Sequence, residues 1–202
     1  MQGILAGIMI SMGCVAYLTH PNALGAFLFS IGLITIVLLN FNLFTGKAGL
    51  YSQGKITLLE LGQMWVENLI GVSATVFVVM LFPQSLELAE SAQKIVETAN
   101  GNFLISNLAL GIACGFLMNL AVTLIKKEHT LLVLIMPVMT FILCGYRHCV
   151  ADMFYVLLGM TSLKQCLILI PITVGNFIGC NIFGWLASEV LKVNTVSDDS
   201  VV

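Results

Sequence analysis

Two short stretches hold most of the side chains that could do chemistry. One is "CGYRHCVADMF", Cys144 to Phe154, which sets Arg147, His148 and Asp152 among apolar neighbours. The other is "NFNLFTGKAGLY", Asn40 to Tyr51, which offers Asn42, Thr45 and Lys47. A histidine at membrane depth can supply a proton or a positive charge, and a threonine hydroxyl can donate or accept a hydrogen bond. Arg147 and Asp152 are close enough in sequence to brace one loop. An unpaired arginine there is costly, so Arg147 is expected to find Asp152, Glu67 or backbone carbonyls. "RHC" is a poor metal set and carboxylates are not clustered, so neither a metal, a cofactor nor enzyme chemistry is expected.

The elements that must position these groups are apolar. Of 202 residues, 59% are hydrophobic and 9% charged, with a net charge of −2; the mean hydropathy is +1.04. A soluble domain could not bury that much apolar surface, so the chain reads as an all-α integral membrane protein in a lipid bilayer. A spanning helix needs about 20 apolar residues. Six stretches qualify, at roughly 2–19, 23–40, 57–82, 101–125, 129–145 continuing to 160, and 164–191. Together they make one membrane domain, 1–192, with a polar tail at 193–202 that is expected to be disordered. The opening "MQGILAGIMISMG" has no basic n-region and reads as the first spanning helix, not a signal peptide. Without a basic patch, nucleic acid is not an expected partner. The six cysteines form no C-x-x-C pair and read as small core residues.

An even number of spans puts both termini on one side. With that side cytoplasmic, Lys55, Lys126, Lys127 and Lys192 all face inward, while the 83–100 loop carries Glu87, Glu90 and Glu97 against Lys94 and falls outside with Lys164. His20 and His129 fall at helix ends, at the interface.

The chain is written twice. "GILAGIMIS" (Gly3 to Ser11) is answered by "GIACGFLMN" (Gly111 to Asn119), and "ENLIG" (Glu67 to Gly71) by "GNFIG" (Gly175 to Gly179). Between these landmarks lie the two polar interruptions. Residues 1–82 and 101–192 therefore read as two three-helix repeats, inverted because three is odd. The second and fifth helices are expected to be broken, and such breaks survive only where they line a cavity inside protein. Asn68 and Asn176 are expected to tie helices to the broken loops, and Gly71 and Gly179 to allow close helix approach.

"NLFTGKAGLY", "ENLIG", "CGYRHCVADMF" and "GNFIG" together resemble the formate/nitrite transporter family, which includes hydrosulfide channels. The resemblance runs from Gly3 to about Lys192. It implies an aquaporin-like fold of six helices, a homopentamer with a pore in each protomer, passage of small monovalent anions, and a place in a bacterial inner membrane. By the same resemblance, His148 is the central pore histidine and Thr45 the threonine facing it. Phe29 and Leu33 form the cytoplasmic constriction, Phe141 the outer one, and Lys94 attracts anions at the outer vestibule. The chain departs from the family pattern at Arg147, where Glu is frequent, at Asp152, where Asn is frequent, and at Gly115, where an asparagine is usual. It has no lysine ahead of the first helix, so the family's inner anion-collecting charge is either missing or supplied by Lys47 or Lys55.

The functional expectation is a channel or transporter for formate- or nitrite-class anions, coupled to protons through His148. Hydrosulfide is the alternative substrate within the family. A bare anion in a narrow apolar pore meets a large desolvation cost. Either His148 protonates the anion, or the anion takes its proton from vestibule water and His148 only orients it. A neutral-solute channel would call for paired Asn-Pro-Ala loops, which do not occur. A nonconducting subunit would have no use for both Thr45 and His148.

Overall fold

A computed structural model describes residues 1–101, 104–128 and 130–198, with side chains through Leu186. His129, residues 199–202 and the side chain of Lys192 lie outside the described set. Among the described residues the fold is all helical: α1 (Gln2–Thr19), α2 (Ala23–Leu38), α3 (Phe44–Lys47), α4 (Leu58–Val79), α5 (Ser85–Gly101), α6 (Leu104–Glu128), α7 (Leu132–Leu143), α8 (Cys149–Gly159) and α9 (Leu169–Asp198). Short 3₁₀ turns, Ala48–Leu50 and Leu163–Ile168, follow α3 and precede α9. Four helical stretches, in α1, α4, α6 and Leu163–Leu186, are long and apolar enough to cross a bilayer, and α2, α7 and α8 are shorter apolar helices.

The bundle is apolar outside and partly polar within. Leu59, Phe77, Leu81, Leu132 and Trp185 are exposed, while Ser11, Ser30, Thr45, Asn68, His148 and Asn176 are buried. Water would not tolerate that distribution; hydrocarbon does. α1 packs on α4, and α6 on α9. Both crossings bring backbones together: a Cβ on Gly71 would overlap the carbonyl of Ile4, and one on Gly179 the carbonyl of Ile112.

The two polar interruptions break their helices in the same way. After α2, the Phe41 N–H donates to the Ile36 carbonyl (2.8 Å) and the Asn40 N–H to Val37 (3.2 Å). After α7, the Tyr146 N–H donates to Phe141 (2.8 Å) and the Gly145 N–H to Ile142 (3.1 Å). This double closure is a Schellman ending, which needs a left-handed residue just past the helix. Asn40 (φ 54°) and Gly145 (φ 69°) occupy that position, and asparagine and glycine are the residues that enter it most readily.

Two expectations are corrected. Residues 83–100, expected to be a loop, form most of α5. Leu88, Ala92, Val96 and Ala99 recur at helical spacing and are buried, and α5 packs on α8. The segment is too polar for a hydropathy reading to find, although its periodicity is that of a helix. The tail expected to be disordered from residue 193 continues α9 as far as Asp198.

Replacing Gly145 by Val forces a β-branched residue into the left-handed region. Thermal unfolding in detergent is expected to show a loss of about 1–2 kcal/mol, whereas Gly62→Ala, at an exposed position of α4 with open space around its Cβ, is expected to cost nothing.

Candidate functional site

The two breaks meet in the middle of the bundle, and one contact joins them. Thr45 Oγ1 lies 2.8 Å from His148 Nε2. Both side chains are buried. The other ring nitrogen, Nδ1, accepts the Ala151 N–H at 3.2 Å, so His148 caps the N-terminus of α8 with its own side chain. An acceptor at Nδ1 leaves the proton of a neutral imidazole on Nε2. Nε2–H then donates to Thr45 Oγ1, and the threonine hydroxyl hydrogen remains free for another acceptor.

Two asparagines hold the frame. Asn176 Oδ1 accepts the Cys149 N–H (2.8 Å), and its Nδ2 donates to the carbonyls of Arg147 (2.7 Å) and Gly111 (2.9 Å). Asn68 Oδ1 accepts the Phe44 N–H (3.0 Å), and its Nδ2 donates to the carbonyls of Asn42 (2.9 Å) and Gly3 (2.8 Å). Each amide thus grips the residues on both sides of one central position, His148 in the second break and Leu43 in the first. Asn42 takes part through its backbone carbonyl.

Arg147 turns away from Thr45. Its Nη1 meets Asp152 Oδ1 at 3.1 Å and its Nη2 donates to the Ile95 carbonyl on α5 at 3.2 Å. Glu67, the other carboxylate expected as its partner, instead accepts the Gly3 N–H at 2.9 Å.

Cavities open on either side of the centre. The larger, about 320 Å³, is lined by Phe141, Arg147, His148 and Asp152 with Tyr17, Ile95, Thr98 and Tyr155. The smaller, about 70 Å³, is lined by Leu33, Asn40, Lys47 and Lys126. Lys47 Nζ donates to Asn40 Oδ1 at 2.9 Å.

The aromatic residues are arranged differently from expectation. The family resemblance groups Phe29 with Leu33, apart from Phe141. In the structure Phe29 packs edge to face on Phe141 with centroids 5.8 Å apart, and Phe141 in turn stacks on His148 at 5.6 Å. Leu33 lines the opposite cavity. α2 runs past the centre, so residues one turn apart on it reach different sides. Lys94 is exposed on α5, and the cavity is lined instead by its neighbours Ile95 and Thr98.

Sequence reasoning missed three participants. Leu43, wholly buried, is the first-break counterpart of His148; the aligned "VLLNFNLF" and "ILCGYRHC" could have revealed it. Cys180 Sγ reaches the carbonyls of Thr45 (3.3 Å) and Gly115 (3.2 Å) from the residue after "GNFIG". Lys126 joins Lys47 at the smaller cavity through tertiary packing alone.

Two interrupted helices meeting at a buried Thr–His contact, inside a bundle whose outer face is apolar, make an architecture of the kind membrane channels and transporters use. The family model for formate/nitrite transporters matches residues 1–189, and the chain belongs to that family, as an integral membrane protein. Its relatives include the formate channel FocA of Haemophilus influenzae, 28% identical in a match covering 80% of this chain and 66% of FocA. FocA of Escherichia coli K12 is 26% identical, covering 78% and 64%. The uncharacterized transporter YrhG of Bacillus subtilis is 32% identical, covering 90% and 80%. The chain thus spans just under two thirds of either FocA. Among solved structures, a pentameric formate channel with formate bound superposes with a TM-score of 0.76 at 26% identity, covering 95% of each chain. An FNT family ion channel, at 21% identity and a TM-score of 0.79, speaks to the fold alone.

Asn176→Ala removes three hydrogen bonds and strands the buried Cys149 N–H and Arg147 carbonyl. A loss of about 3 kcal/mol or more in unfolding free energy is expected, read by thermal unfolding in detergent. Nitrogen-15 spectra of histidine-labelled protein are expected to show His148 at neutral pH with Nε2 protonated and Nδ1 bare.

Proposed function

We propose that the chain is a channel for small monovalent anions of the formate and nitrite class, with Thr45 and His148 at the centre of its pore. The observation that carries this reading is the 2.8 Å contact between them, set between a cavity holding Arg147 and one holding Lys47 and Lys126. The formate channels among its relatives support the substrate class. The proposed assembly is a homopentamer with a pore in each protomer, supported by the likeness to a pentameric formate channel. Six crossings arranged as two inverted repeats, with both termini in the cytoplasm of a bacterial host, complete the proposal. The matching asparagine grips and Schellman endings support the repeat.

In this reading an anion entering from the larger cavity meets the Phe29–Phe141 pair, which a charged species crosses at high desolvation cost and a neutral acid at much lower cost. His148 lies just beyond. In its Nε2–H form it has no proton to give away outright, since donating that one would leave an imidazolate. It polarises the Thr45 hydroxyl, which offers its free hydrogen to the passing oxygen. A doubly protonated ring would have to surrender the Ala151 cap, because Nδ1–H and the amide N–H would then face each other. Coupling to protons therefore runs through an acid that picks up its proton in the cavity, with His148 orienting it and bearing charge only transiently.

The test is uptake of labelled formate, nitrite and hydrosulfide into proteoliposomes, with and without an imposed proton gradient, by the parent protein and His148→Phe. Formate and nitrite uptake by the parent is expected to rise with an inward proton gradient, and the variant to lose most of its uptake while what remains still follows the gradient. Equal, gradient-independent passage by both proteins would make the histidine structural. Hydrosulfide passage alone would move the chain to the alternative substrate.

A further inference from the structure

The Arg147–Asp152 pair uses one carboxylate oxygen and leaves the other. Asp152 Oδ1 meets Arg147 Nη1 at 3.1 Å. Oδ2 has no donor at hydrogen-bond distance among the described residues; the His148 N–H faces the carboxylate from farther off. The side-chain atoms that are both sealed off and unpartnered are, among those residues, Asn107 Oδ1 and Arg147 Nε alone. Oδ2 therefore keeps a reachable surface, on a side chain 4% exposed that lines the larger cavity. A braced ion pair thus offers a free carboxylate oxygen to the chamber that Phe141 and His148 also wall.

The groups around it decide what that oxygen can do. Arg147 is the cation that faces it. The break after α7 brings Cys144 and Tyr146, α1 brings Tyr17, and α8 brings Tyr155 with His148 as its cap, while α5 brings no titratable side chain to the cavity. Thiols and phenols are neutral at pH 7, and the capped His148 is the neutral form, so the charges of Arg147 and Asp152 cancel at rest. An entering anion leaves the chamber one charge negative. A second negative charge beside a carboxylate favours its protonated form, and chamber water supplies the proton. Transfer then breaks the Oδ2–H bond and forms an O–H bond on the anion, with no change of oxidation state. The neutral acid moves on past Phe29 and Phe141 at low desolvation cost, and Asp152 returns to its ion pair.

We propose that Asp152 is the group that hands the anion its proton in the larger cavity. The inference rests on the anion-channel reading and names the proton source which that reading requires. In it, Arg147 is a positioning residue: it holds Oδ1 and leaves Oδ2 to the chamber.

Two measurements test it on the full chain. The first uses the parent alone, labelled with carbon-13 in its aspartate carboxyls and reconstituted in phosphatidylcholine vesicles. Infrared spectra are recorded at falling pH in sodium nitrite and in sodium sulfate of equal ionic strength. The labelled band of the protonated acid is expected to appear about one pH unit higher in nitrite. The other aspartates, Asp198 and Asp199, are expected to answer both salts alike. The second compares labelled-formate uptake, with and without an inward proton gradient, by the parent, Asp152→Asn and Asp152→Glu. Asparagine keeps an acceptor for Nη1 but has no acid proton to transfer, and glutamate keeps the acid. The rise with the gradient is expected in the parent, lost in Asp152→Asn and restored in Asp152→Glu. A rise in Asp152→Asn equal to the parent's, or a labelled band that does not respond to nitrite, overturns the proposal. Where Asp152→Asn fails to fold or to transport, the infrared result on the parent decides alone. A parent that passes no anion yet shows the nitrite-dependent band overturns the channel reading and keeps Asp152 as a proton site.

Discussion

A helix that stops inside an apolar surround sets free N–H and C=O groups that lipid cannot satisfy. The organisation of this protein follows from how those groups find partners. Each break closes its upstream end by a Schellman turn and hands its downstream end to an asparagine on another helix. Asparagine suits the task because one short side chain carries an acceptor for the restarting helix's N–H and two donors for carbonyls. Aspartate lacks the donors. The grip closes on either side of His148, so the imidazole is aimed from the backbone outward; its Nδ1 is fixed by Ala151 and its Nε2 by Thr45.

The same backbone geometry carries opposite chemistry in the two halves. Counting from each restarting helix, Lys47 corresponds to Asp152, Asn42 to Arg147 and Leu43 to His148. The cations Lys47 and Lys126 line one cavity, while the other holds an arginine already paired with a carboxylate. A frame repeated in the two halves is given distinct cavities by a few side chains, and the hydrogen bonds that build the frame use mostly backbone groups that those substitutions do not touch.

Much of this could be read from the chain. The breaks announced themselves as polar residues inside apolar runs, and the recurrence of N-x-I-G pointed to Asn68 and Asn176. The partner of Arg147 lay five residues away. What escaped reading depends on three-dimensional angle or on weak local signals. Phe29 and Leu33 are four residues apart on α2, and only the path of that helix past the centre decides which cavity each meets. α5 escaped because hydropathy and periodicity were in conflict there and the polar composition prevailed. Lys126 and Cys180 reach the centre through the packing of α6 and α9, which no spacing rule encodes.

α5 changes what kind of segment joins the two halves. A Cβ on Gly159 would overlap the amide of Gln93, and the Ile95 carbonyl holds the arginine beside His148. The join is thus a wall of the chamber, and its length is constrained as tightly as that of any core helix. Insertions and deletions between homologous chains should be scarce across 85–101 and concentrate in the exposed turn at 51–55, so a history of loop growth and loss in this lineage would be written at that turn.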